Sequence, residues 1–122
     1  MAFAPGSLSD DAAAWKGQSL VGVQQLDEAG LNLVLAHAER LRGQPRDKVL
    51  ARQRGKILAN VFYEPSTRTM CSFDAAMKRL GGDVISVSES TSSAKKGETI
   101  EDTVRCLQCY CDVLVLRHPQ KG

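Results

Sequence analysis

Apolar positions along the chain switch between helical and strand-like spacing. In "LDEAGLNLVLAHAERLRG", Leu31, Val34, Leu35, Ala38 and Leu41 share one helical stripe, with Asp27 and Glu28 early and Arg40 and Arg42 late. The spacing and the dipole-compatible charges predict an amphipathic helix, stopped by Gly43 and Pro45. The compact apolar run "KILANVF", 56–62, predicts a mostly buried strand. "STRTMCSFDAAMKRLGG" returns to helical spacing through Phe73, Ala76, Met77 and Leu80. It opens on a Ser/Thr cap and closes at Gly81-Gly82. "DVISV", 83–87, predicts a second strand, and the polar stretch 88–97 has almost nothing apolar to bury. "ETIEDTVRCLQCYC" aligns Ile100, Val104, Leu107 and Cys111 as a further helix, and "DVLVLR", 112–117, predicts a third strand.

Strands alternating with helices through short joins imply an α/β fold: an open parallel sheet with flanking helices and right-handed crossovers. Residues 1–16 are expected to form a flexible arm or linker, and 17–122 one domain. No internal repeat or low-complexity tract interrupts this plan. No apolar run approaches the roughly 18 residues that span a membrane. The first fifteen residues lack the basic start and apolar core of a secretory signal, so a cytoplasmic protein with reduced thiols is expected. A net charge of +2 with interspersed signs gives no electrostatic case for nucleic acid.

In open parallel sheets, ligands bind beyond the carboxyl ends of the strands. Each predicted strand carries a polar cluster there. The first is followed by Glu64-Pro65-Ser66-Thr67-Arg68-Thr69, the second by the loop containing Ser92, Lys95, Lys96 and Glu98, and the third ends in Arg117-His118. Because the first cluster opens a helix, the free N–H groups of residues 66–69 and the positive helix end favour an anion. The hydroxyls of Ser66, Thr67 and Thr69 can add donors, and Arg68 can grip two phosphate oxygens. The bland alternative makes Ser66 an N-cap and Arg68 a solvated side chain. The second cluster reads either as a solvated loop or as a mobile lid bringing Ser92 and Lys96 to an anion. For Arg117 the alternative is a strand-end ion pair, and for His118 a turn filler. The glycines and Gly-Lys-Ser/Thr ending of a nucleotide P-loop are absent.

Of four cysteines, three crowd into "CLQCYC" (Cys106, Cys109, Cys111), and Cys71 stands apart. A zinc site needs a second such cluster or a histidine pair at finger spacing, so no metal is expected.

"FYEPSTRT", "SSAKKGET" and "LRHPQ", in that order, resemble the carbamoyl-phosphate domain of the aspartate carbamoyltransferases over about 17–122. Ser-Thr-Arg-Thr marks carbamoyltransferases generally. Ornithine-using members resemble this chain there, but usually carry a basic residue at the place of Glu64 and lack the Lys-Lys-Gly-Glu loop. "LVGVQQL" and "FDAAMKRLGGDVISVSE" look most like the eukaryotic form, often one domain of a larger pyrimidine-pathway polypeptide.

The resemblance implies that Ser66, Thr67, Arg68 and Thr69 hold the phosphate of carbamoyl phosphate. Thr69 and Arg117 would also reach the carbonyl oxygen, beside His118, and Arg68 would stabilise the departing phosphate. Glu98 would position Arg68, and Glu64 would bridge to an aspartate-binding domain. Ser92 and Lys96 would act in a neighbouring subunit's site, which requires a homotrimer, while relatives vary at Lys95. The implied reaction gives N-carbamoyl-L-aspartate and phosphate for pyrimidine synthesis, without metal, nucleotide cofactor or covalent intermediate. Members run to about twice this length or more, since a second domain must hold aspartate. The chain is therefore expected to be a portion that leaves a sheet edge open and is unstable and inactive alone. Two alternatives stay open: an ornithine or other carbamoyltransferase, and a non-catalytic anion-binding or assembly module.

Overall fold

A computed structural model describes residues 15–90 and 97–121. The chain divides into two compact units, Met1–Gln44 and Pro45–Gly122. In the first, a 3-10 turn at Val23–Gln25 precedes helix α1, Glu28–Arg42. Gln25 is buried with both ends of its amide hydrogen-bonded: Oε1 accepts from Val21 N (2.6 Å) and Gly22 N (2.9 Å), and Nε2 donates to Ser19 O (3.0 Å). Asp27 caps α1 by accepting from Gly30 N at 2.7 Å. The predicted helix is present, yet its apolar stripe is not buried, with Leu31, Val34 and Leu35 left 48%, 42% and 55% exposed.

The second unit runs α2 (Arg46–Leu50), β1 (Ile57–Phe62), α3 (Thr67–Arg79), β2 (Asp83–Ser88), α4 (Ile100–Leu107) and β3 (Val113–Arg117). Its strands are parallel in the order β2-β1-β3. The central strand β1 has α4 on one face and α3 on the other, which explains its near-continuous burial and its apolar character apart from Asn60. Ala59, Val61 and Tyr63 pack on one side with Leu107 of α4, joined by Ile85, Val87, Ile100, Cys111 and Leu114. Asn60 lies on the other face, where its Nδ2 donates to Met70 O of α3 at 3.0 Å.

Three details depart from the sequence reading. The five-residue helix α2 begins straight after Pro45 and is too short to show a helical period. Helix α4 ends at Leu107, and residues 108–110 form a turn instead of continuing the helix to Cys111. The chain must leave the helix because Asp112 N donates to Ile57 O, and Asp112 Oδ2 accepts from Ile57 N, both at 2.9 Å. Strand β2 reaches Ser88, one residue beyond the expected end.

Gly81 fixes the α3–β2 turn. Its φ is +87°, and a Cβ there would stand 1.7 Å from Leu50 O, so neither the conformation nor the space admits a side chain.

Candidate anion site at the strand ends

The strands end in register. Phe62 pairs with Ser88 on one side and with Arg117 on the other, so the segments following them emerge at one edge. The order β2-β1-β3, with α3 and α4 on opposite faces, makes the β1/β3 boundary a topological switch point, where open α/β sheets bind ligands.

Glu64, Ser66, Thr69 and Arg117 meet at that boundary. Arg117 Nε donates to Glu64 Oε2 at 3.2 Å, and a terminal guanidinium nitrogen donates to Ser66 Oγ at 3.3 Å. Ser66 Oγ in turn donates to Thr69 Oγ1 at 2.9 Å. The backbone joins the same residues, since Tyr63 N donates to Arg117 O at 2.9 Å. The strand-end ion pair that was the alternative role for Arg117 is thus formed, and it also reaches the hydroxyl cluster.

Ser66 is the N-cap residue of α3, yet its side chain makes no cap bond. Its hydroxyl faces Thr69 and Arg117 instead, leaving the first-turn N–H groups of α3 to the positive helix end. Met70 N donates to Ser66 O at 2.9 Å and closes that turn. The first-turn amides of α3, the hydroxyls of Ser66 and Thr69 and the Arg117 guanidinium thus gather at one helix start, donors of the kind that suit a tetrahedral oxyanion.

Arg68 is exposed in the same turn and makes no hydrogen bond or ion pair among the described residues. The expected Glu98–Arg68 contact is not formed: Glu98 is half-buried beside Gly97, whose φ is +89°. Thr67 is exposed at the first helical position. The ring of His118 lies 5.7 Å from that of Tyr63 at 52°, and its Nδ1 accepts from Gln120 N at 3.1 Å. That local bond matches the turn role and leaves Nε2 to carry the proton of the neutral ring. Ser92, Lys95 and Lys96 lie outside the described residues.

Two residues beside the site escaped the sequence reading. Asn60 is fully buried in β1, and its Oδ1 has no partner. Tyr63 is buried with its hydroxyl also unpartnered. The available signal was an amide inside the apolar run 56–62. Among the described residues no three His, Cys, Asp or Glu side chains gather as a ligand set, and the four cysteines are free thiols.

The family model for the aspartate/ornithine carbamoyltransferase carbamoyl-P binding domain matches residues 18–122. The chain is 49% identical over 109 residues to the multifunctional protein pyr-3 of Neurospora crassa, covering 88% of this chain and 6% of that protein. It is 46% identical to the aspartate carbamoyltransferase catalytic subunit of Thermococcus gammatolerans, covering 88% of this chain and 36% of the subunit. The aspartate transcarbamoylase of Trypanosoma cruzi, solved with carbamoyl phosphate and aspartate, superimposes with a TM-score of 0.80. It shares 41% identity, over 88% of this chain and 36% of that one. The chain thus spans about a third of the catalytic subunits it matches, and a far smaller share of the multifunctional protein. Motifs, topology and both kinds of likeness converge: the chain belongs to the aspartate/ornithine carbamoyltransferase family, within its carbamoyl-phosphate-binding domain.

Proposed function

We propose that the polypeptide carrying this chain transfers the carbamoyl group of carbamoyl phosphate to the α-amino group of L-aspartate, in pyrimidine biosynthesis, with residues 17–122 as its carbamoyl-phosphate domain. The observation that carries the proposal is the Glu64–Arg117–Ser66–Thr69 chain of contacts at the β1/β3 edge, beside a helix start whose first-turn amides have no side-chain cap. In this reading Ser66, Thr67, Arg68 and Thr69 bind the phosphate, and Arg117 and Thr69 face the carbamoyl oxygen, with His118 alongside. The uncharged amine attacks the carbamoyl carbon and a C–N bond forms. Negative charge grows on the carbonyl oxygen, where Arg117 and Thr69 stabilise it. The C–O bond to phosphate then breaks, Arg68 stabilises the departing dianion, and the proton lost by the amine leaves on phosphate. Nothing in this sequence of steps calls on a cofactor; positioning and electrostatics carry it.

Ser92 and Lys96 complete the site of a neighbouring subunit in a homotrimer, Glu98 supports Arg68 when the site is filled, and Glu64 bridges to the aspartate-binding part. The likeness to the multifunctional proteins supports a place in a larger polypeptide. No described helix is long and apolar enough to cross a membrane, and a cytoplasmic location is part of this proposal.

The test is carbamoyl transfer by the full-length polypeptide, with aspartate and ornithine assayed side by side. Carbamoyl-aspartate is the expected product; turnover of ornithine alone would overturn the assignment, and carbamoyl phosphate binding with neither product would favour an anion-binding module. The shared site is tested separately by mixing Arg68→Ala and Lys96→Ala subunits, each inactive. Activity should return in mixed trimers, and its absence in trimers confirmed to be mixed would sink the shared site.

A further inference from the structure

We infer that Asn60 is a positioning residue for the anion site, acting through the first turn of α3; this rests on the proposed phosphate-binding role of that turn. Asn60 sits in the central strand, 0% exposed, paired in register with Ser86 and Val115. Its Nδ2 donates to Met70 O at 3.0 Å, and Met70 N donates to Ser66 O at 2.9 Å. The Met70 residue therefore links the strand amide to the residue that opens the helix. Between Ser66 and Met70 lie Thr67, Arg68 and Thr69, the residues proposed above to hold the phosphate.

The orientation of the amide is fixed. Turning it over would set Oδ1 against Met70 O, two acceptors facing each other. In the orientation adopted, Oδ1 is buried with no hydrogen-bond partner. A buried acceptor without a donor weakens folding, and an apolar side chain of similar size would fill the same place without that cost. Packing alone therefore does not account for an amide in an otherwise apolar strand. The Nδ2 contact does, because it holds the start of α3 at a set height above β1, the strand that also leads into Glu64. Anion sites built from several donors lose affinity steeply when those donors shift by fractions of an ångström.

The experiment compares the full-length polypeptide with its Asn60→Leu and Asn60→Asp variants, measuring inorganic phosphate binding by calorimetry and thermal unfolding. Asn60→Leu should unfold at or above the parent temperature yet bind phosphate about tenfold more weakly. A purely structural role predicts the reverse, a lower unfolding temperature with affinity unchanged once folded. Asn60→Asp, isosteric with asparagine, should also fold. Its acid form can donate to Met70 O and its ionised form cannot, so its affinity relative to the parent should fall as pH rises. Affinity of folded Asn60→Leu within twofold of the parent, or an affinity of folded Asn60→Asp relative to the parent that does not change with pH, overturns the inference. Failure of the parent itself to bind phosphate overturns the proposed anion site and this inference with it.

Discussion

Replacing Arg117 with alanine separates a structural from a chemical role for the ion pair at the strand ends. The side chain makes two polar contacts, 3.2 Å to Glu64 and 3.3 Å to Ser66. The ion pair is wet: the Arg117 side chain is 41% exposed and that of Glu64 44%. Solvent screens most of the attraction in such a pair, so its contribution to folding is about 0–1 kcal/mol. Loss of a charged donor from the carbonyl oxygen during transfer, by contrast, costs about 3–4 kcal/mol, roughly a hundred- to a thousandfold in kcat. The prediction is a variant with a nearly unchanged melt and a kcat lower by those factors. Arg117→Lys keeps the charge but loses the planar fork that spans Glu64 and Ser66, and should recover less than tenfold of the lost rate. Steady-state kinetics at saturating aspartate with varied carbamoyl phosphate, paired with a thermal melt of each protein, would check this. A kcat within tenfold of the parent would refute the chemical role. A melt that falls by many degrees in step with kcat would make Arg117 a structural tie instead.

Two further outcomes follow from the same geometry. Gly81→Ala places a Cβ on a φ of +87° and against Leu50 O, and should lower stability by at least about 2 kcal/mol; an unchanged urea midpoint would show that the turn can relax. The carboxyl of Asp112 is held below the usual 3.8, chiefly by the hydrogen bond from Ile57 N, which outweighs an opposing desolvation effect, with Lys56 adding a lesser pull in the same downward direction. Because its folded pKa lies below the unfolded one, its contribution is present above about pH 4 and is lost as pH falls through the lowered value. Asp112→Asn should flatten the acid side of the stability-versus-pH curve, and an acid limb identical to the parent's would count against this assignment.

The sequence made the alternation of helix and strand legible because each element carried its own period. Strand β1 read as mostly buried, and the structure explains why: it is the central strand, with a helix on each face. Strand order was not legible, since the sequence shows which segments are strands but not that β3 crosses to the far side of β1. The short α2 was missed because five residues cannot display a helical period. The end of α4 was misplaced because Cys111 continues the apolar stripe and packs against the core, while its backbone has already left the helix. At the site, Ser66, Thr69 and Arg117 were legible by type and place. The contacts of Arg117 with Ser66 and Glu64 were not, because they span 51 and 53 residues of chain and depend on register.

Register ties stability to the site in this fold. Asp112 meets Ile57 through both backbone and side chain at the amino end of the β1/β3 pair. Five residues on, Arg117 meets Phe62 in the ladder, and its guanidinium reaches Glu64 and Ser66. A slip of one residue would displace Arg117 by about 3.3 Å and turn its side chain to the opposite face of the sheet. Neither of its contacts could then persist at 3.2–3.3 Å. Asp112 thus acts as a register lock at one end of the strand pair, and the lock sets the position of a charge at the other end. Asn60 does the corresponding work across the sheet, setting α3 on β1 where Asp112 sets β3 on β1. The proposed anion site stands where both alignments must hold together. That explains why its residues are spread over two strands and a helix start, and why no single motif could specify it.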